Sequence, residues 1–117
     1  MELIIAQLFA ARDIAHRIHL RTRSFAAHLA LGELYEALLE LADSLAETYQ
    51  GKYGILNVLN PVFTFTDNDQ VSFVRELAQY AENTRQTLNP ADTYIVNQWD
   101  ELMSVIYRAK YKLENLS

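Results

Sequence analysis

Residues 51–68 read GKYGILNVLNPVFTFTDN. The stretch holds two of the chain's three glycines and Pro61, followed by a β-branched and aromatic run over 62–66. In a helix interior glycine costs about 1 kcal/mol and proline about 3, so no long helix is expected to pass through it. A connection of this length inside a small domain generally has a topological or functional task. Its apolar side chains predict that it packs across the outside of the elements it joins, with a short strand or a helical turn as the alternatives to open loop.

Helical patterns flank it on both sides. Upstream, Ile4, Leu8, Ala11, Ala15 and Ile18 fall within a narrow arc at 100° per residue and predict a helix over about 2–22. Ser24 suits the N-cap of a second helix over about 25–50. That helix has the apolar line Leu31, Leu34, Leu38, Leu41, Leu45 and Tyr49, flanked by Tyr35 and Ala42, and Gly51 and Gly54 are expected to stop it. No glycine or proline marks the break at 22–24, so one continuous helix is the alternative. Downstream, Asp67 or Asp69 can cap a third helix over about 69–88, with Val71, Val74, Leu77, Ala78, Ala81 and Leu88 as its apolar line. After the turn Asn89-Pro90-Ala91-Asp92, with Asp92 or Thr93 as cap, a fourth helix over about 93–115 carries Tyr94, Ile95, Trp99, Leu102, Met103, Ile106, Tyr107 and Leu113. A short turn makes neighbouring helices antiparallel, whereas a long connection lets the second and third helices run parallel. The expectation is one all-α domain over 1–117, a four-helix bundle with the long B–C crossover of ferritin-like connectivity.

Composition narrows the chemistry. The 117 residues are 50% hydrophobic and 21% charged, an ordinary globular balance. With no cysteine, disulfides, thiolate zinc sites, iron–sulfur clusters and cysteine nucleophiles are excluded, and the chain suits a reducing cytoplasm. No apolar run approaches the ~20 residues a membrane span needs, and the start MELIIAQLFAARD lacks a basic region, so neither a membrane helix nor a secretory leader is expected. The net charge of −5 and the lack of a basic run disfavour binding to nucleic acid. P-loop, GxGxxG, HExxH, EF-hand and GxSxG motifs are missing, and no histidine follows a glutamate by three positions, as a di-iron helix pair within one bundle requires.

Two distributions stand out. Glu33, Glu36, Glu40, Asp43 and Glu47 are spaced 3, 4, 3, 4, so five carboxylates share one face of the second helix. Such a face is solvated, lies against basic residues of another subunit, or contributes to a metal site. All three histidines, His16, His19 and His28, fall in the first 28 residues, where four arginines against Glu2 and Asp13 give a net charge of +2. Imidazole and carboxylate together suit iron or zinc. The basic start and the acidic second helix complement each other, either between copies in a homo-oligomer or within one chain.

His16, His28 twelve residues later, and Asp43-Ser44-Leu45-Ala46-Glu47 beginning fifteen residues beyond that resemble the motif of the Dps mini-ferritins. Asp92 through Trp99 is similar to that family's last helix. The resemblance implies a homo-oligomer that binds and oxidises iron at a two-fold interface, with His16 and His28 from one subunit and Asp43 and Glu47 from its neighbour as ligands. This chain departs from the pattern where Arg17 stands for a tryptophan, where Gly32 stands for an acidic ligand, and in lacking a lysine-rich tail. The stretch from His19 through Leu56 also resembles small proteins of tailed bacteriophages, which implies a host cytoplasm. The alternative function is a bundle of the same fold without iron chemistry that acts by binding a protein partner, either as an inhibitor of a host function or as a structural component of the phage.

Overall fold

The computed structural model describes residues 1–58, 60–62 and 65–117, and these contain four α-helices: α1 (Glu2–Arg21), α2 (Phe25–Tyr53), α3 (Gln70–Arg85) and α4 (Thr93–Asn115). Local chemistry accounts for most of the boundaries. The break after α1 is real: Thr22 and Ser24 are extended, and the Ser24 hydroxyl accepts the Ala27 N–H at 3.1 Å. α2 runs past its expected end through Gly51 and stops at Gly54, whose φ of 106° is open to glycine and strained for other residues. Of the two candidate caps for α3, Asp69 serves: its carboxylate accepts the Ser72 N–H at 2.9 Å and the Ser72 hydroxyl at 3.0 Å. α3 ends at Arg85, short of the expected 88. There the N–H groups of Thr87 and Leu88 reach back only three residues, to Thr84 and Arg85, in the tighter pattern that closes helices. Asp92 precedes α4, but its side chain makes no capping hydrogen bond. Lys52 and Tyr53 hold it instead.

Ion pairs at matched ends give the helix directions. Lys52, in the last turn of α2, meets Asp92 at the start of α4, and Lys112, near the end of α4, meets Glu33 early in α2 at 2.7 Å. α2 and α4 are therefore antiparallel. Arg75 on α3 meets Glu114 on α4 at 2.6 Å, and Arg85 meets Asp100 at 2.6 Å, so α3 and α4 are antiparallel too. It follows that α2 and α3 run parallel. α1 packs on α2, α2 on α4, α4 on α3, and α3 more lightly on α1, which places α2 and α3 across the bundle from each other.

The chain from Gly54 to Asp69 must therefore travel back along the bundle. At about 3.3 Å per residue its reach exceeds the roughly 24 Å length of α3. It is tied down as it goes. The Asn57 N–H donates to Glu2 at 2.9 Å, the Thr66 N–H donates to Glu76 at 2.8 Å, and the Phe65 ring meets Phe73 and Tyr80 edge-on at 6.1 and 5.6 Å. Its described residues form neither strand nor helix. Phe63 and Thr64 of the run 62–66, in which a strand was one expectation, lie outside the described residues.

The buried stripes are the ones periodicity predicts, with small rotations. α2 buries Leu31, Leu34, Leu38, Ala42 and Leu45, while Leu41 sits at the flank. α3 adds Phe73, fully buried beside Val74 and Leu77. On α4, Trp99 is fully buried and its Nε1–H donates to the Ala81 carbonyl at 3.0 Å, whereas Tyr94, Tyr107 and Tyr111 are exposed. Tyr49 packs on Tyr53 at 4.6 Å, and Tyr35 lies against α1, stacked on His16. The radius of gyration is 14.0 Å, close to the ~13 Å typical of a compact 100-residue domain. No helix among the described residues is long and apolar enough to cross a membrane.

Two stability predictions follow from these contacts. Trp99→Ala leaves a large cavity and removes the indole N–H donated to the Ala81 carbonyl, and urea unfolding is expected to show a loss of about 3–5 kcal/mol. The carboxyls of Asp92, Asp100 and Glu114 are held below their ordinary range, chiefly by the hydrogen bonds from Lys52, Arg85 and Arg75 respectively. A depressed folded-state pKa contributes stability above the unfolded value and loses it as pH falls through the folded one. Thermal midpoints are thus expected to be flat above about pH 5 and to drop below about pH 4. The drop should be smaller in Asp100→Asn.

Candidate functional site

The three histidines, which look unrelated along the chain, converge on the α1–α2 seam. On α1, Arg12, His16 and His19 are spaced i, i+4, i+7 and share one face; on α2, His28, Gly32 and Tyr35 do the same. The short turn folds these faces together. The His19 and His28 rings stack at 3.7 Å with 16° between their planes. His16 stacks on Tyr35 at 4.1 Å and 9°, the His19 ring meets Tyr35 edge-on at 5.3 Å, and the Arg12 guanidinium lies 5.3 Å from the centre of the Tyr35 ring. All three histidines are partly buried.

His19 and His28 clasp each other through the backbone. His19 Nδ1–H donates to the His28 carbonyl at 2.6 Å, and His28 Nδ1–H donates to the His19 carbonyl at 2.8 Å. A carbonyl oxygen only accepts, so each Nδ1 carries a proton, and the neutral tautomer compatible with the clasp has its lone pair on Nε2. The same arrangement orients metal-binding histidines, whose second nitrogen usually donates to a carbonyl or carboxylate.

Gly32 is the floor of this arrangement. A Cβ there would lie 3.2 Å from His19 Cε1 and 3.4 Å from its Nδ1. Any side chain at this position, an acidic one included, requires the His19 ring to give by a few tenths of an ångström. His19 itself goes unmarked by the motif. The signal that finds it is the pair of i, i+4, i+7 faces, read together across the turn.

Asp43 and Glu47 lie elsewhere. His28 and Asp43 are fifteen residues apart on one helix, about 22 Å at 1.5 Å per residue, so one chain does not bring the four expected ligands together. Among the described residues, no group of three or more histidines and carboxylates is positioned to hold a metal. All five acids of the α2 row are exposed, and Glu33 is bound by Lys112 of α4. Among the described residues no ion pair joins the α1 arginines to these acids; Arg17 instead pairs with Asp13 on its own helix, at 2.7 Å.

The packing of His19 over Gly32 is open to a double-mutant cycle. Alanine for glycine in a helix is worth about 1 kcal/mol, which Gly32→Ala should deliver in a His19→Ala background. With His19 present the clasp resists moving aside, and the same change should gain nothing or destabilise. A coupling below about 0.5 kcal/mol in chemical denaturation would remove the steric reading.

Nothing among the curated proteins, and nothing among the solved structures, matches the chain. One family model matches residues 19–113, a span that opens at His19, takes in α2 and α3, and leaves His16 outside. Since that span covers most of the sequence, the chain belongs to this family, a family of unknown function (DUF5856).

Proposed function

We propose that the protein is a ferritin-like, self-assembling bundle that takes ferrous iron as substrate between its copies, in the manner of the Dps mini-ferritins. His16 and His28 of one copy and Asp43 and Glu47 of a second are the proposed ligands. The observation that carries this reading is the clasp: it keeps the His28 proton on Nδ1 and leaves Nε2 as a donor, while the carboxylates that would complete the site stand exposed at the other end of the same helix. A two-fold axis across α2 closes that ~22 Å separation. The parallel α2 and α3 with the crossover between them suit the same kinship. In such a site two ferrous ions each give one electron to a peroxide, whose oxygen–oxygen bond breaks to leave two hydroxides.

A second reading rests on a different observation. Leu20 and Phe25, at the α1–α2 turn, are 71% and 74% exposed, and Leu29 continues the row one turn along. Exposed apolar side chains in a row mark interaction surfaces more often than isolated ones do. In a bundle without iron chemistry this patch would serve a host protein partner.

Ferrous iron and peroxide added to the purified protein should give ferric absorbance above background, and His16→Ala/His28→Ala and Asp43→Asn/Glu47→Gln should each abolish it. Mixing the two inactive variants under conditions that exchange subunits should restore part of the signal, since one of the two sites at each mixed two-fold interface is intact. A strict monomer by mass, or traces equal to a protein-free control, rejects iron oxidation and leaves the partner-binding reading.

A further inference from the structure

At the opposite end of the bundle from the histidines, α2 closes on the start of α4 around one ammonium group. Lys52 bonds to Asp92, and its Nζ lies 5.1 Å from the centre of the Tyr53 ring and 5.3 Å from that of Tyr94. Tyr53 donates its hydroxyl to the second Asp92 oxygen at 2.5 Å. A carboxylate beneath and aromatic faces at the sides are the features that recognise organic cations, because the ring quadrupole attracts positive charge without forming directed hydrogen bonds.

Three details separate this cluster from an ordinary surface ion pair. Asp92 is only 4% exposed, although it lies at the N-cap position of α4, where a carboxylate would ordinarily accept backbone N–H groups; its side chain is turned into the cluster instead. Tyr53 and Tyr94 are about half exposed, so the cage opens to solvent. Beside it lies a cavity of about 260 Å³ that shares Asp92 and Tyr53 as walls and continues over Tyr49, Thr87 and Asn89. That is more room than an ammonium head needs, and the extra space is lined by polar and aromatic side chains together with Met1, Ile4, Leu88 and Ile95. Lys52 itself comes from the last turn of α2, on a flexible stem that leaves the core undisturbed when it moves. Its ammonium is held in the charged form, first by the Asp92 hydrogen bond and then by Tyr94.

We propose that Tyr53, Tyr94 and Asp92 form a binding site for an alkylammonium group, such as the head of a methylated lysine side chain, and that Lys52 is its internal, displaceable occupant. The ligand's cation takes the place of the Lys52 ammonium, and the rest of the ligand extends into the neighbouring cavity. The resting chain is thus self-blocked, and its affinity for an outside cation is lowered by the cost of expelling Lys52.

Tetramethylammonium is the simplest probe, with sodium at the same ionic strength as the control. In Lys52→Ala, ring resonances of Tyr53 and Tyr94 should shift on titration, with an affinity at least about tenfold above that of the unmodified chain. Adding Tyr94→Ala to that variant should remove the binding. In the unmodified chain, saturating tetramethylammonium should raise the rate at which an acylating reagent modifies Lys52, with Lys110 and Lys112 unchanged. Equal affinities with and without Lys52, or indifference to Tyr94→Ala, would overturn the proposal. An unchanged Lys52 rate in the native chain would do the same, even if the Lys52→Ala variant proved unstable.

Discussion

Two helices that point the same way cannot be joined by a tight turn, and everything distinctive in this bundle follows from α2 and α3 being such a pair. The chain leaving α2 at Gly54 has to return along the length of α3 before that helix can begin behind Asp69. The return path is anchored by Glu2, Glu76 and the Phe65 ring, and it occupies the outside of the bundle along α1 and α3. With that side covered, the outer face of α2 is left bare. It presents Phe25 and Leu29 at one end and a carboxylate row at the other.

The bundle's two ends are chemically different. At one, the turn between α1 and α2 draws Arg12, His16, His19, His28 and Tyr35 into a ladder of stacked rings, with Nδ1 protons spent on carbonyls. At the other, Asp92 gathers Lys52 and Tyr53 from the end of α2. The first is a cluster of stacked rings in which His19 and His28 are anchored to each other's backbone carbonyls. The second is a buried negative charge matched to a cation. Both arise where a helix end meets a neighbour, because there side chains are not committed to the apolar stripe and remain free to engage each other. Gly32 and Gly54 mark the same logic in the backbone: one makes room for a ring, the other supplies a φ that other residues rarely adopt.

Helix identity was legible in the amino-acid order because it is a local property. Leu31, Leu34, Leu38 and Leu45 repeat at the period of one helix face whatever they pack against, and Ser24 and Asp69 cap through neighbours only three residues away. The parallel course of α2 and α3 was legible too, since loop length alone constrains direction. Places where the order misled are those where a distant partner competes with a local one. Asp92 has the look of a cap, yet Lys52, forty positions earlier, draws its carboxylate away. Gly51 has the look of a stop, yet a helix tolerates glycine in its last turn and ends where the backbone needs a positive φ, at Gly54. The histidines carry no mark of their pairing in one dimension, because His19 and His28 meet only once the turn has folded α1 onto α2. Periodicity is written in neighbours a few residues apart and survives without a fold. Stacking, clasps and buried ion pairs depend on distances between helices, and those exist only after the four apolar stripes have closed on one another.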